Sequence, residues 1–134
     1  METATQKRAS DASVEVLRKT TEAFNSGDAQ AASALIADDV EWHEIGRAEP
    51  ILGKEALAAR FTGGLPEWEI TADVHDILAN DEHAVALVTA TAKMGGRTFV
   101  YRTAEIVHIK DGKIAARWAF SDDTAAINEF FAGA

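Results

Sequence analysis

Apolar positions near the start of the chain recur at helical spacing. Val14, Leu17, Thr21 and Phe24 share one face of a predicted helix that Ser10 or Asp11 can cap and that "NSGD" ends, with Gly27 as the stop. Asp28 can cap a second, Ala-rich helix, "AQAASALIA", whose Leu35 and Ile36 turn inward before "DD" closes it. The stretch "DDVEWHEIG", Asp38 to Gly46, then reads as a strand: Val40, Trp42 and Glu44 point one way and Glu41, His43 and Ile45 the other. "RAEPIL" reads as a loop. "GKEALAARFTGGL" predicts a third helix with Leu57 and Phe61 on one face, closed by Gly63, Gly64 and Pro66.

From there the period becomes two. "WEITADVHDILA" alternates Trp68, Ile70, Ala72 and Val74, "AND" turns the chain, "HAVALVTATAKM" returns, and Gly95-Gly96 turns it again. "RTFVYRTAEIVHI" is a third long strand, "KDGK" an Asp-Gly hairpin turn, "IAARWAFSD" the last strand, and "DTAAINEFFA" a short capped helix. This order predicts an α+β fold: a cone-shaped, curved antiparallel sheet packed on the N-terminal helices and enclosing a pocket at its open end. Residues 1–134 are expected to form a single domain, with about the first ten residues disordered.

Composition narrows the function. With 47% apolar residues and only 2 Pro in 134, the chain can build a real core. The 22 acidic against 13 basic residues give a net charge of −9, which repels nucleic acid and anionic membranes. No apolar run approaches the roughly 18 residues needed to cross a membrane, and "METATQKRASDAS" has no hydrophobic signal core, so a cytoplasmic location is expected. The chain has no Cys, which removes thiolate chemistry and agrees with a reducing compartment.

Candidate chemistry rests on carboxylates placed on inward faces. If Trp42 faces the interior as a pocket wall, Glu44 does too, and an inward carboxylate must be paired, protonated or at a wet mouth; the bland alternative is a strand end in solvent. Glu105 lies mid-strand on a face shared with Phe99, Tyr101, Thr103, Val107 and Ile109. Its structural alternative is an ion pair with Arg102 or Arg117. Tyr101 can offer its hydroxyl to a ligand, or be an aromatic with a satisfied tip. His43 and His75 are candidates for proton transfer or ligand contact, against the plainer reading of partly buried structural histidines, whereas His83 and His108 read as turn and outer-face residues. The His spacings fit no metal-ligand pattern, so no metal is expected. On the last strand, plain alternation from Ile114 puts Ala116, Trp118, Phe120 and Asp122 on one face, while a bulge would instead turn Arg117 and Ser121 inward. On the strand "HAVALVTATAKM", Ala86, Val88, Ala90 and Ala92 share one face and Val85, Leu87, Thr89 and Thr91 the other.

The element order, with "FNSGDAQAASALIADDVEWHEIG", "GKEAL", "EIVHIKDGKI" and "FSDD", resembles the nuclear transport factor 2-like superfamily and its SnoaL-like members over nearly the whole chain. That superfamily includes ketosteroid isomerases, polyketide cyclases, epoxide hydrolases, dehydratases and members that only bind, so fold alone does not give the reaction. Counting back from Gly53, the resemblance puts Glu44 at the isomerases' general base. Counting back from "KDGKI" puts Glu105 at their oxyanion-hole carboxyl. It also implies that Arg117 and Ser121 face in, and that the Ala86, Val88, Ala90 and Ala92 face turns inward. Thr20 stands where the isomerases have their oxyanion-hole Tyr, and Arg117 and Ala119 stand where the Asp–Arg–Asp set of the epoxide hydrolases would need acids. The implied function is a cofactor-independent acid–base enzyme, of isomerase, cyclase, hydrolase or lyase type, on a small, largely apolar carbonyl compound. In it Glu44 is the base, Glu105 a protonated donor, and Trp42, His43, His75, Tyr101, Arg117 and Trp118 contact substrate. The alternative is a non-catalytic module that binds a small hydrophobic metabolite. In either case a homodimer through the outer sheet face is expected.

Overall fold

The computed structural model describes residues 4–63 and 69–132. Helices α1 (Ala4–Ser26) and α2 (Ala29–Ala34) precede strand β1 (Ile36–Trp42) and the short β2 (Ile51–Leu52). Helix α3 (Lys54–Gly63) follows, then β3 (Glu69–Ala79), β4 (His83–Met94), β5 (Arg97–Lys110), β6 (Lys113–Ser121) and helix α4 (Thr124–Ala132). The six strands form one curved, open sheet in the order β2-β1-β6-β5-β4-β3. The chain meanders antiparallel from β3 to β6, as the hairpin signals predict. β1 closes on β6 in parallel, so the sheet is mixed rather than wholly antiparallel.

Several local expectations are met for the stated reasons. Asp28 caps α2 through Ala31 N–H to its Oδ1 at 3.0 Å. Asp111 and Gly112 both take positive φ, 54° and 75°, which the two-residue Asp-Gly hairpin requires. Others change. α1 begins at Ala4, so the polar start expected to fray is helical from that residue. Ile36 begins a strand rather than ending a helix, and "IL" of the expected loop pairs with β1 as β2. Phe24 is 41% exposed, off the buried face that Leu17 anchors. Trp68 and the Gly64–Pro66 helix stop lie outside the described residues, as does the side chain of Phe61.

The main core lies on the inner face of the sheet. Leu17 of α1, Val40 of β1 and Leu57 of α3 meet Ala84, Ala86 and Val88 of β4, Val107 and Ile109 of β5, and Ile114 of β6. The small inward side chains of β4 let the helices approach closely, and truncating a residue as buried as Leu17 to Ala is worth about 2–5 kcal/mol. A second apolar cluster lies toward the β4–β5 turn. There Phe130 of α4 packs with Ala92 and Met94, flanked by Phe99, Tyr101 and Phe131. The C-terminal helix thus covers that end of the concave face.

Two contacts fix the pieces around it. The Asn25 side chain bonds to both main-chain groups of Ala72, accepting from its N–H at 2.9 Å and donating to its carbonyl at 2.7 Å, so it stands in for a strand neighbour on edge strand β3. Gly46, at φ 76°, lies so close to α4 that a Cβ there would come 2.1 Å from Asn128 Oδ1. The positive φ favours glycine there, and any Cβ would also force the Asn128 side chain to move.

Candidate functional site

The face of β6 that lines the interior is set by one extra residue. Ile109 pairs with Ile114 but His108 pairs with Ala116, so Ala115 is bulged out of register. Beyond it Arg117, Ala119 and Ser121 stand opposite Val107, Glu105 and Thr103 of the inner face, while Trp118 and Phe120 turn outward opposite Ile106 and Ala104. The bulge register holds, and plain alternation from Ile114 does not.

Arg117 is the hub of the inner face. Its Nε donates to Glu105 Oε1 at 3.0 Å, its Nη1 donates to the His43 carbonyl at 2.9 Å, and its Cζ lies 4.7 Å from the centre of the Trp42 ring. The two charged side chains are only 16% and 20% exposed, so their attraction is less screened than at the surface. A guanidinium over an indole adds about 0.5–2 kcal/mol. Tyr101, four residues before Glu105 on β5, completes the group. Its ring stacks on Phe99 at 5.3 Å and meets Phe131 edge-on at 6.2 Å. Burial pushes its phenol pKa up, with Arg117 opposing and Glu105 adding to the shift. Its hydroxyl has no hydrogen-bond partner among the described residues, so it stands as a protonated donor.

The expected site residues therefore separate. Trp42, Tyr101, Glu105 and Arg117 come together on the inner face, and of the alternatives for Glu105 the ion pair with Arg117 is the one found. Glu105 is thus not the isolated carboxyl in apolar surroundings that the protonated-donor role requires. Glu44 departs further. β1 ends at Trp42, so strand alternation no longer governs Glu44, which sits in the following turn with both oxygens on Arg60 of α3, at 2.9 and 3.3 Å. That bond raises the Arg60 pKa. Arg60 was not among the expected residues, although it lies three positions after Leu57 and so on the same inward helix face.

His43 and Trp118 form another group, stacked at 5.3 Å with ring planes 14° apart. His43 Nε2 is 3.2 Å from Glu41 Oε2 but is not aligned for a hydrogen bond, and it is buried without a partner. His75 is bulged out of β3, exposed, and bonds to Thr89 Oγ1 at 2.5 Å on the outer face, away from the inner cluster. Thr20, at the position of the isomerases' Tyr, donates back to the Val16 carbonyl of its own helix at 2.6 Å. His83 and His108 pair across the outer face with ring centres 4.8 Å apart. No set of three His, Cys, Asp or Glu groups among the described residues is placed to hold a metal ion.

Tyr101 is the only tyrosine, so its ionisation can be read directly from phenolate absorbance. It titrates above its ordinary value of 10.0 in the folded protein. Between those two values the unfolded chain has lost the proton and the folded chain keeps it, so stability falls as pH rises through that window. Tyr101→Phe removes this part of the alkaline slope; a tyrosine titrating at its ordinary value contradicts the buried, protonated donor.

Residues 17–117 match the family model of the SnoaL-like domain. An uncharacterized protein of Mycobacterium tuberculosis is 28% identical, with 91% of this chain and 98% of that protein aligned. Among solved structures, Bal32a from a soil-derived mobile gene cassette superposes with a TM-score of 0.80 at 26% identity, covering 91% of this chain and 98% of that one. A putative polyketide cyclase from Xanthomonas campestris pv. campestris gives 0.80 at 19% identity over 92% and 97% of the two chains. An LEH-like epoxide hydrolase from M. tuberculosis gives 0.76 at 17% identity over 92% of each. These two show the likeness of fold alone. With the family model spanning most of the chain, this protein belongs to the SnoaL-like domain family, within the NTF2-like fold.

Proposed function

We propose that the concave face takes a small, largely apolar molecule with a carbonyl group and carries out acid–base chemistry on it without a cofactor. The observation that supports this is the meeting of Tyr101, Glu105, Arg117 and Trp42 on one partly buried face. The roles differ from those implied by the isomerases. Tyr101, kept protonated by burial, donates to the carbonyl oxygen and to the charge that develops there. Glu105, held by Arg117, takes the proton from the adjacent carbon, while Trp42 and the Phe99–Phe130 aromatics hold the apolar body. Glu44, engaged by Arg60 at the rim, orients that end of the site rather than serving as the base.

A second reading, binding without chemistry, draws on the finding that both carboxylates are committed to arginines. Exchange of the α-protons of a simple cyclic ketone in heavy water, followed by NMR, separates the two. The enzyme reading predicts accelerated exchange that drops by about a hundredfold or more in Glu105→Gln, with ketone affinity nearly unchanged. Binding with no acceleration in the wild type leaves only the binding module.

The homodimer is proposed on the outer face. Leu78, Leu87 and Phe120 there are 56%, 43% and 59% exposed, and a groove of about 440 Å³ runs between Leu87, Ala104, Arg102 and Phe120. Covering such a patch with a second copy is the usual answer to exposed apolar area. Sedimentation at micromolar concentration shows a dimer that Phe120→Glu dissociates; a wild type that stays monomeric contradicts it.

A further inference from the structure

A second concavity opens along the free edge of β6, next to the inner cluster, with lining residues from both faces of the strand. Its volume is about 240 Å³, and its walls include His43, Glu44, Arg47, Trp118, Ala119 and Ser121. The cause lies in how the β1–β6 ladder ends. His43 N–H still donates to the Arg117 carbonyl at 2.8 Å, but the His43 carbonyl, which the next rung would use, accepts from the Arg117 side chain instead. Pairing stops at Trp42↔Arg117 while β6 runs on to Ser121, so among the described residues no strand lies beside this stretch of its edge. Main-chain groups alternate along a strand, so those of Ala119 and Ser121 point the same way as the Arg117 carbonyl, into the groove. Chain from Glu44 to Arg47 forms a turn, Arg47 N–H to the Glu44 carbonyl at 3.2 Å, and makes the opposite wall.

We infer that this groove binds a small N-acylated amino acid. Each part of such a molecule has a counterpart. An amide offers a donor and an acceptor side by side, which is what an unpaired strand edge takes up. The exposed Arg47 is in no ion pair among the described residues and stands at the lip, where a carboxylate can reach it. Glu44 does not repel that carboxylate strongly, because Arg60 already holds it. Trp118 and Ile45 give an apolar wall for a side chain, and His43 Nε2, buried without a hydrogen-bond partner, gives that wall a further polar atom. The volume is below the roughly 300–1,000 Å³ of sites for drug-sized ligands and suits a single residue.

The inference stands apart from the chemistry proposed for the concave face and is tested separately from it. N-acetyl-phenylalanine is titrated into the protein and amide NMR shifts are followed. The expected result is saturable shifts at residues 43–47 and 118–121. Removing the ligand's charge, as N-acetyl-phenylalaninamide, or the receptor's, as Arg47→Ala, weakens binding by about tenfold each, the scale of one charge-assisted hydrogen bond. Tyr101→Phe leaves the shifts unchanged. Three results overturn the inference: no shifts at millimolar ligand, shifts confined to the Phe99–Tyr101 face, or equal affinity for the acid and its amide in the wild type.

Discussion

The guanidinium of Arg117 is the constraint on which the arrangement depends. Without the bulge at Ala115 it would point outward. With it, one planar group reaches a carboxylate on β5, a carbonyl past the end of β1 and the face of an indole on β1. Its rigid fork of donors suits this work in a way a lysine ammonium does not. The same contacts explain why the β1–β6 ladder stops where it does, and hence why the chain from His43 to Arg47 leaves the sheet. The inner polar cluster and the groove at the β6 edge are two consequences of one side chain.

A charged pair this buried is not an efficient way to stabilise a small domain. Two charges give up hydration on entering the interior, and their attraction returns that free energy only in part. The residues directly across the strands from them, Val107 opposite Arg117 and Ala86 opposite Glu105, are apolar, so hydrocarbon suits this part of the sheet. A pair retained there, beside a buried phenol, fits the proposed role of this face in handling a ligand. The C-terminal helix bears on the same region, since Phe131 packs against Tyr101 and Asn128 against Gly46.

Much of this was legible in the sequence, and the failures have physical causes. Period-two alternation is strong in β5, so the inward face of Glu105 and Tyr101 could be read directly, whereas the inward face of Ala86 and Val88 on β4 came from the family resemblance. The Asp-Gly and Gly-Gly turns fixed the meander. Alternation gives no warning of a bulge, so the faces of Arg117 and Trp118 stayed open until β5 and β6 were paired. Nor does it mark where a strand ends: counting from Trp42 gives Glu44 an inward face, but Arg117 takes the His43 carbonyl and ends the ladder before that residue. The partner of Glu44 lies sixteen positions away on another element, and only its spacing from Leu57 hinted at it. An ion pair of Glu105 with Arg102 or Arg117 is among the alternatives the sequence offers, and the β5–β6 register selects Arg117.

The central claim is that the Glu105–Arg117 pair is kept for the site and not for the fold. Unfolding free energies of Arg117→Met, Glu105→Met and the double variant test it most directly. Each single change leaves one charge partly buried and alone, and is predicted to destabilise by about 1–3 kcal/mol after allowance for partial exposure. The double change is predicted to return to within about 1 kcal/mol of the wild type, or above it. A double variant as unstable as the sum of the two singles contradicts the claim, and makes the pair a structural bond of the sheet.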